Sequence, residues 1–171
     1  KQGCVVVVRV DLIGDFVCWL GSASELRNLY ADKHITLICN ESVVDLAERL
    51  KLFDRIIPVK IEEFGRNPYY RVKKIREVAA IDAEIAIQPT YSRTYILGDS
   101  LMRILAAKDK TGFDGDLCNI STLEKYVSDR WHTLLIPGSN EPMMELERNN
   151  EFVKALGMID TLPSIGRLIK V

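Results

Sequence analysis

Residues 5–15 read Val-Val-Val-Val-Arg-Val-Asp-Leu-Ile-Gly-Asp, and this stretch decides the fold. Its apolar run is too short to span a membrane and has the length of a strand buried on both faces. Gly14 and Asp15 stand where a helix should begin. From Phe16 to about Tyr30, apolar residues recur every three or four positions, which predicts a helix with one buried face. A buried strand, a glycine turn and a packed helix form the first half of a βαβ unit.

The rest of the chain alternates strand and helix patterns, as a parallel sheet with right-handed crossovers does. Further strands are predicted at 34–39, 55–59, 84–88 and 110–113, with a strand or extended segment at 131–136. Helices are predicted from a cap at Asn40 or Ser42 to Leu50, and at 69–80, 94–107 and 142–156, with Gly157 as the last stop. Residues 61–68 are predicted to be a loop and 114–129 an irregular surface segment. The predicted fold is an α/β, Rossmann-like, mostly parallel sheet with helices on both faces and residues 5–10 at its centre.

Composition and charge narrow the function classes. The chain has 171 residues, 47% of them hydrophobic, and a net charge of −1. A general nucleic-acid binder would usually be basic, so no nucleic-acid partner is expected. Four cysteines without a Cys-x-x-Cys pair, and two histidines far apart, make a metal site unexpected. A reducing, cytoplasmic location is the simpler assumption.

Asp15 is the first candidate functional residue, because ligands of open α/β sheets bind beyond the carboxyl ends of the strands. The alternative is that Asp15 only caps the helix or favours its dipole. The stretch has neither the Gly-x-Gly-x-x-Gly fingerprint of dinucleotide binding nor a P-loop lysine. A second hypothesis for function is a stand-alone binding module, whose Gly14 loop holds a small anionic ligand at the helix N-terminus.

A series of motifs, in order along the chain, resembles glycosyltransferase family 9, the ADP-heptose:lipopolysaccharide heptosyltransferase family. The resemblance begins with the segment Arg-Val-Asp-Leu-Ile-Gly-Asp at 9–15 and covers nearly all of the chain. The other matching segments are 30–38, 53–59, the Gly-Phe turn within 110–114, 134–137 and the Glu-Leu-Glu-Arg-Asn helix from 145 to 157.

The resemblance implies the N-terminal half of a GT-B enzyme that inverts the anomeric centre without a bound metal or other cofactor. By position, Asp15 would be the general base that deprotonates the acceptor hydroxyl. The residues assigned to acceptor binding are Asp11, Gly14, Arg66 and Arg93. A basic cluster of Arg66, Arg71, Lys73, Lys74 and Arg76 is either a solvated helix face or a contact for an anionic acceptor.

The resemblance also implies partners and a domain division. Residues 1–157 would form the acceptor-side domain, and residues 158–171 a linker toward a C-terminal, donor-binding domain. The donor would be a nucleotide sugar similar to ADP-heptose, and the acceptor a glycan or glycolipid of the lipopolysaccharide type. Such an enzyme would work in the cytoplasm, including the cytoplasmic face of the inner membrane as a peripheral protein.

Overall fold

The structure is a computed structural model that describes residues 3–139 and 141–161, with side chains described to Met158. The strands are β1 (Cys4–Arg9), β2 (His34–Asn40), β3 (Arg55–Val59), β4 (Ile85–Gln88), β5 (Asp109–Phe113) and β6 (Leu134–Ile136). The α-helices are α1 (Ile13–Leu29), α2 (Val44–Leu50), α3 (Ile61–Arg66), α4 (Pro68–Ala79), α5 (Ser100–Ile104), α6 (Thr122–Ser128) and α7 (Glu145–Thr161). A 3-10 turn, Glu41–Val43, precedes α2, a π-helical turn, Tyr95–Asp99, precedes α5, and a 3-10 turn, Asp129–Trp131, follows α6.

The six strands form one sheet in the order β3-β2-β1-β4-β5-β6. Every neighbouring pair is parallel, and β1 lies between β2 and β4, with Val7 opposite both Leu37 and Ile87. The sequence prediction of a parallel, Rossmann-like sheet with residues 5–10 at its centre is therefore confirmed.

Each face of the sheet carries its own hydrophobic core, because alternate side chains of a strand point to opposite faces. Val5 and Val7 pack with residues of α1 and α7 such as Trp19 and Phe152. The other face packs Val6 and Val8 against residues of α3, α4 and α5. The four valines have no exposed surface, which accounts for the uninterrupted apolar run in the sequence.

Several predicted boundaries were wrong. Residues 61–66 form α3 rather than a loop, because Phe64 is buried in the core and holds the segment on the sheet. The segment predicted as irregular contains α6, which begins with a capping box in which the Ser121 side chain and Glu124 bond each other's backbone N–H. The helix predicted at 94–107 is shorter, and its first turn is π-helical.

The last helix starts later and ends later than predicted. It begins at Glu145 and continues through Gly157 to Thr161. Gly157 lacks the positive φ of a helix-terminating glycine, and a Cβ added there would meet only Leu29, at 4.0 Å. The predicted linker, 158–171, is therefore helical at its start, and residues 162–171 lie outside the described residues.

Candidate functional site

The topology places one crevice at the carboxyl edge of the sheet. The chain leaves β1 toward β2 on one side and leaves β4 toward β5 on the other. The loops that follow β1 and β4 therefore diverge, and such a switch point is where open α/β sheets bind ligands. Asp11 and Asp15 follow β1, and Thr90 follows β4.

Asp15 is the third residue of α1 and is exposed at this edge. The residue at the N-cap is Leu12, which supplies no side-chain hydrogen bond. Among the described residues, the Asp15 carboxylate itself makes neither a hydrogen bond nor an ion pair. Its neighbours Leu12, Ile13 and Val17 are 66%, 53% and 50% exposed. An open carboxylate with an apolar border therefore stands at the start of α1.

Arg9, the last residue of β1, has no exposed surface, and its guanidinium contacts the backbone of Asp15. Its Nη1 donates to Asn149 Oδ1 at 2.8 Å. Its Nη2 donates to the backbone oxygen of Asp15 at 3.3 Å and to Glu145 Oε1 at 3.2 Å. The guanidinium also lies 5.3 Å from the centre of the Trp19 ring, a cation–π distance. One buried cation thus connects β1, α1 and α7.

Asp11 connects the two diverging loops. Its Oδ2 lies 3.0 Å from Arg9 Nε and accepts a hydrogen bond from the Thr90 hydroxyl at 3.2 Å. Burial raises the pKa of Asp11, while Arg9 and the Thr90 hydroxyl oppose that rise. The side chain remains 17% exposed. Asp11 is therefore held in place and still reaches the crevice.

Gly14 and Arg66, two further residues predicted to contact the acceptor, lie in different parts of the carboxyl edge. Gly14 is exposed, and a Cβ built on it would meet no atom within 4 Å, so its own surroundings do not require a glycine. Arg66 is exposed at the end of α3. Since α3 follows β3, and β2 lies between β3 and β1, Arg66 belongs to the outer part of the carboxyl edge.

Arg93 lies in a buried polar cluster with Gln88, Asp99, Asp129 and His132, here called the Arg93 cluster. Arg93 is only 1% exposed, and its guanidinium bonds the Asp129 carboxylate and approaches His132 Nδ1 at 3.3 Å. This geometry does not favour the predicted contact between Arg93 and an acceptor, because the guanidinium faces the protein interior. It instead secures residues 89–93, the β4 loop.

The Arg93 cluster surrounds His132 with hydrogen-bonding groups. The Gln88 side-chain nitrogen donates to Asp99 Oδ1 at 2.9 Å, so the Gln88 oxygen faces His132 Nε2, also at 2.9 Å. Nδ1 of His132 lies between Arg93 Nη1, at 3.3 Å, and the Ser128 backbone oxygen, at 3.2 Å, so both ring nitrogens have polar partners. Burial, and next the neighbouring Arg93, lower the pKa of His132 to about 4.

The predicted basic cluster does not form one cationic surface. Arg71 donates to the backbone oxygens of Phe64 and Gly65, both at 2.7 Å. Lys74 is buried and pairs with Glu77 at 2.7 Å. The exposed cations that remain are Arg66, Lys73 and Arg76.

Three contributors to the site were missed in the sequence. A charged residue in an otherwise valine-rich strand is the signal that singles out Arg9. Thr90 and Glu145 carry no comparable signal, because their partners lie 79 and 136 residues away in the chain. Only the folded sheet brings them together.

In the part of the chain that the structure describes, no group of three or more His, Cys, Asp or Glu side chains could hold a metal ion. Within residues 3–139 and 141–161, none of the helices has the length and hydropathy that a bilayer crossing needs.

Comparisons of the sequence found no matching protein-family model and no matching curated protein. Comparisons of the structure found several solved glycosyltransferases. The glycosyl transferase family 9 structure from Veillonella parvula DSM 2008 is 18% identical, with a TM-score of 0.71, over 96% of this chain and 44% of that one. E. coli heptosyltransferase WaaC with ADP is 14% identical, with a TM-score of 0.68, over 89% of this chain and 46% of that one.

E. coli ADP-heptose lps heptosyltransferase II is 16% identical, with a TM-score of 0.59, over 90% of this chain and 40% of that one. The chain thus spans about half the length of the structures that it matches. At these identities the likeness shows the fold: the chain has the Rossmann-like fold that these solved glycosyltransferases contain, over about half of their length.

Proposed function

We propose that this chain is the acceptor-binding half of a glycosyltransferase of the GT-B type. The observation that carries the proposal is the open Asp15 carboxylate at the carboxyl end of the central strand, in a fold shared with solved heptosyltransferases. A cap or ion-pair partner for Asp15 would have favoured a structural role, and the described residues provide neither.

The chemistry needs a base at this position. A sugar hydroxyl is a poor nucleophile, and a carboxylate within hydrogen-bond reach takes its proton as the new bond forms. The acceptor oxygen attacks the anomeric carbon of the donor from the face opposite the nucleoside diphosphate. The bond from that carbon to the phosphate oxygen breaks, its electron pair leaves with the diphosphate, and the proton passes to Asp15. Attack from that face inverts the anomeric centre. The independence from a metal ion that the family resemblance implies is also part of this proposal.

The neighbours of Asp15 have supporting roles in this proposal. Oδ2 of Asp11 is engaged by an ion pair with Arg9 and by a hydrogen bond from Thr90, which suits Asp11 better to orienting an acceptor hydroxyl than to accepting its proton. Gly14 leaves the first turn of α1 open to the acceptor, and Arg66 would meet an anionic group further out on it. Arg93 secures the β4 loop from behind.

The donor belongs to a second half of the enzyme in this proposal. Residues 1–157 form the acceptor side, and residues 158–171 lead toward a donor-binding domain. One matched structure is WaaC with ADP-2-deoxy-2-fluoro heptose, 12% identical with a TM-score of 0.70 over 55% of that chain. We therefore favour a nucleotide sugar similar to ADP-heptose as donor and a lipopolysaccharide-type glycan or glycolipid as acceptor, met at the cytoplasmic face of the membrane.

The test is Asp15→Asn in the longest protein that the reading frame containing this chain encodes. Asparagine keeps the shape of the side chain but cannot accept the proton. The turnover number should fall roughly 10²- to 10⁴-fold, the usual scale of lost general-base catalysis. Asp11→Asn should lower the turnover number much less, because in this proposal the Asp11 carboxylate orients the acceptor hydroxyl and does not take its proton.

Asp45→Asn is the matched control, since Asp45 is an exposed carboxylate in the first turn of α2, at the same edge of the sheet. Its turnover should equal that of the wild type. Near-normal turnover in Asp15→Asn would end the assignment of Asp15 as base.

A further inference from the structure

Burial of Arg9 in the central strand carries a large desolvation free energy. A guanidinium without exposed surface must recover its lost hydration through partners, and arginine is rarely buried without them. A valine in its place would continue the apolar run of β1. The contacts that compensate its burial therefore indicate what the residue is for.

Those contacts converge on two helices. Nη2 of Arg9 lies 3.3 Å from the Asp15 backbone oxygen and 3.2 Å from Glu145 Oε1, so a single nitrogen holds both. Nη1 donates to Asn149 Oδ1 at 2.8 Å. Glu145 and Asn149 are four residues apart in α7 and so share one face of that helix. The start of α1 is thus connected to the start of α7 through one planar group.

This connection ends at the proposed site. The peptide that Arg9 holds belongs to Asp15, and the Glu145 side chain that shares the nitrogen is 38% exposed. The planar, forked guanidinium fixes direction as well as distance, which the single ammonium of a lysine cannot do. A movement of α7 would therefore be transmitted to the backbone that carries the Asp15 carboxylate.

We propose that Arg9 is a positioning residue, whose guanidinium holds the Asp15 backbone and Glu145 together and so fixes the Asp15 carboxylate against α7. The catalytic consequence rests on the proposed function. The coupling of the two helices through Arg9 does not, and it can be measured in this chain alone.

The first experiment measures hydrogen exchange by NMR in Glu145→Gln, which loses the charged partner but keeps Arg9. Two amides report on the helix starts: Phe16 N–H, bonded to the Leu12 oxygen at 3.1 Å, and Arg148 N–H, bonded to the Met144 oxygen at 3.0 Å. We expect exchange at both amides to become about tenfold faster, because a charge-assisted hydrogen bond becomes a weaker one to a neutral acceptor.

Glu151→Gln is the matched control. Glu151 also pairs with an arginine of α7, Arg148 at 3.1 Å, but neither residue bonds α1. This variant should speed exchange at Arg148 and leave Phe16 unchanged. An unchanged Phe16 amide in Glu145→Gln would overturn the proposal.

The second experiment measures transfer by the longer protein with Arg9→Lys, which keeps the charge and loses the fork. If Arg9 positions Asp15, the turnover number should fall at least tenfold while the acceptor KM stays within about twofold, because a displaced base slows the chemical step. If Arg9→Lys and Glu151→Gln lowered the turnover number equally, Arg9 would have only a general stabilising role, and the proposal would be overturned. Coupled exchange together with full turnover in Asp15→Asn would instead reject only the proposed function.

Discussion

At the scale of single residues, His132 is the group in the Arg93 cluster that a change of pH should affect first. Its pKa is lowered from the ordinary 6.5 to about 4, so the unfolded chain binds a proton that the folded protein excludes. Stability therefore rises with pH across this interval. The contribution of His132 is complete above about pH 6.5 and is lost as the pH falls toward 4, at most roughly 3 kcal/mol.

Denaturant unfolding at pH 7 and pH 5 tests this prediction. The wild type should lose stability between the two values, and His132→Gln should lose markedly less, because glutamine does not titrate. His34→Gln is the control, since His34 is exposed at the start of β2, and it should behave as the wild type. If the free energy of unfolding of His132→Gln fell between pH 7 and pH 5 as much as that of the wild type, His132 would not be the source of the pH dependence.

The residue scale also shows why the sequence predicts only part of the site. Asp15 is recognisable from its place after a buried strand, and Asp11 from its place in the same loop. Whether a side chain is open or engaged depends on partners far away in the chain. Arg93 looks like a loop cation in the sequence, yet its guanidinium is buried against Asp129 and His132, 36 and 39 residues further on.

At the scale of elements, two glycines in helical turns should respond oppositely to alanine. A Cβ at Gly21, in α1, would meet no atom within 4 Å, whereas a Cβ at Gly98 would lie 2.4 Å from the Gln88 side-chain nitrogen. Gly21→Ala should stabilise the protein by about 0.5–1 kcal/mol, the usual gain in a helix interior. Gly98→Ala should destabilise it, because Gln88 must move away from Asp99 and His132.

Thermal unfolding of the two variants separates these effects. The midpoint should rise for Gly21→Ala and fall for Gly98→Ala. An equal fall of the midpoint in both variants would contradict the prediction, because the free space around Gly21 would then give no advantage to alanine.

The inner strands β1, β2 and β4 were predictable because a strand buried on both faces needs a mostly apolar run, which all three provide. The short helices were less visible. In α3 the helix spans only six residues and contains Gly65, so burial of Phe64 against the sheet decides its structure. The start of α7 bonds Arg9 through Glu145 and Asn149, and no local sequence pattern reveals those contacts.

At the scale of the whole molecule, the position of the nucleotide separates the two hypotheses for function. If this chain is the acceptor-side half of a GT-B enzyme, the donor is bound mainly by the other half. Calorimetric titration of this chain with ADP should then show weak binding, without saturation below millimolar concentration. A binding module for small anions would instead give a micromolar dissociation constant, about 8 kcal/mol of binding free energy.

The charges at the carboxyl edge favour the weak result. An anion bound at the start of α1 would face the Asp11 and Asp15 carboxylates. The buried Arg9, which contacts Asp11 and the Asp15 backbone, is already shared with Glu145 and Asn149. Asp15→Asn provides the control, because it removes one negative charge from the helix N-terminus. If the chain were an anion-binding module, this variant should bind ADP more tightly; an acceptor-side domain should bind it as weakly as before. A micromolar dissociation constant for ADP that becomes still lower in Asp15→Asn would therefore refute the acceptor-side assignment.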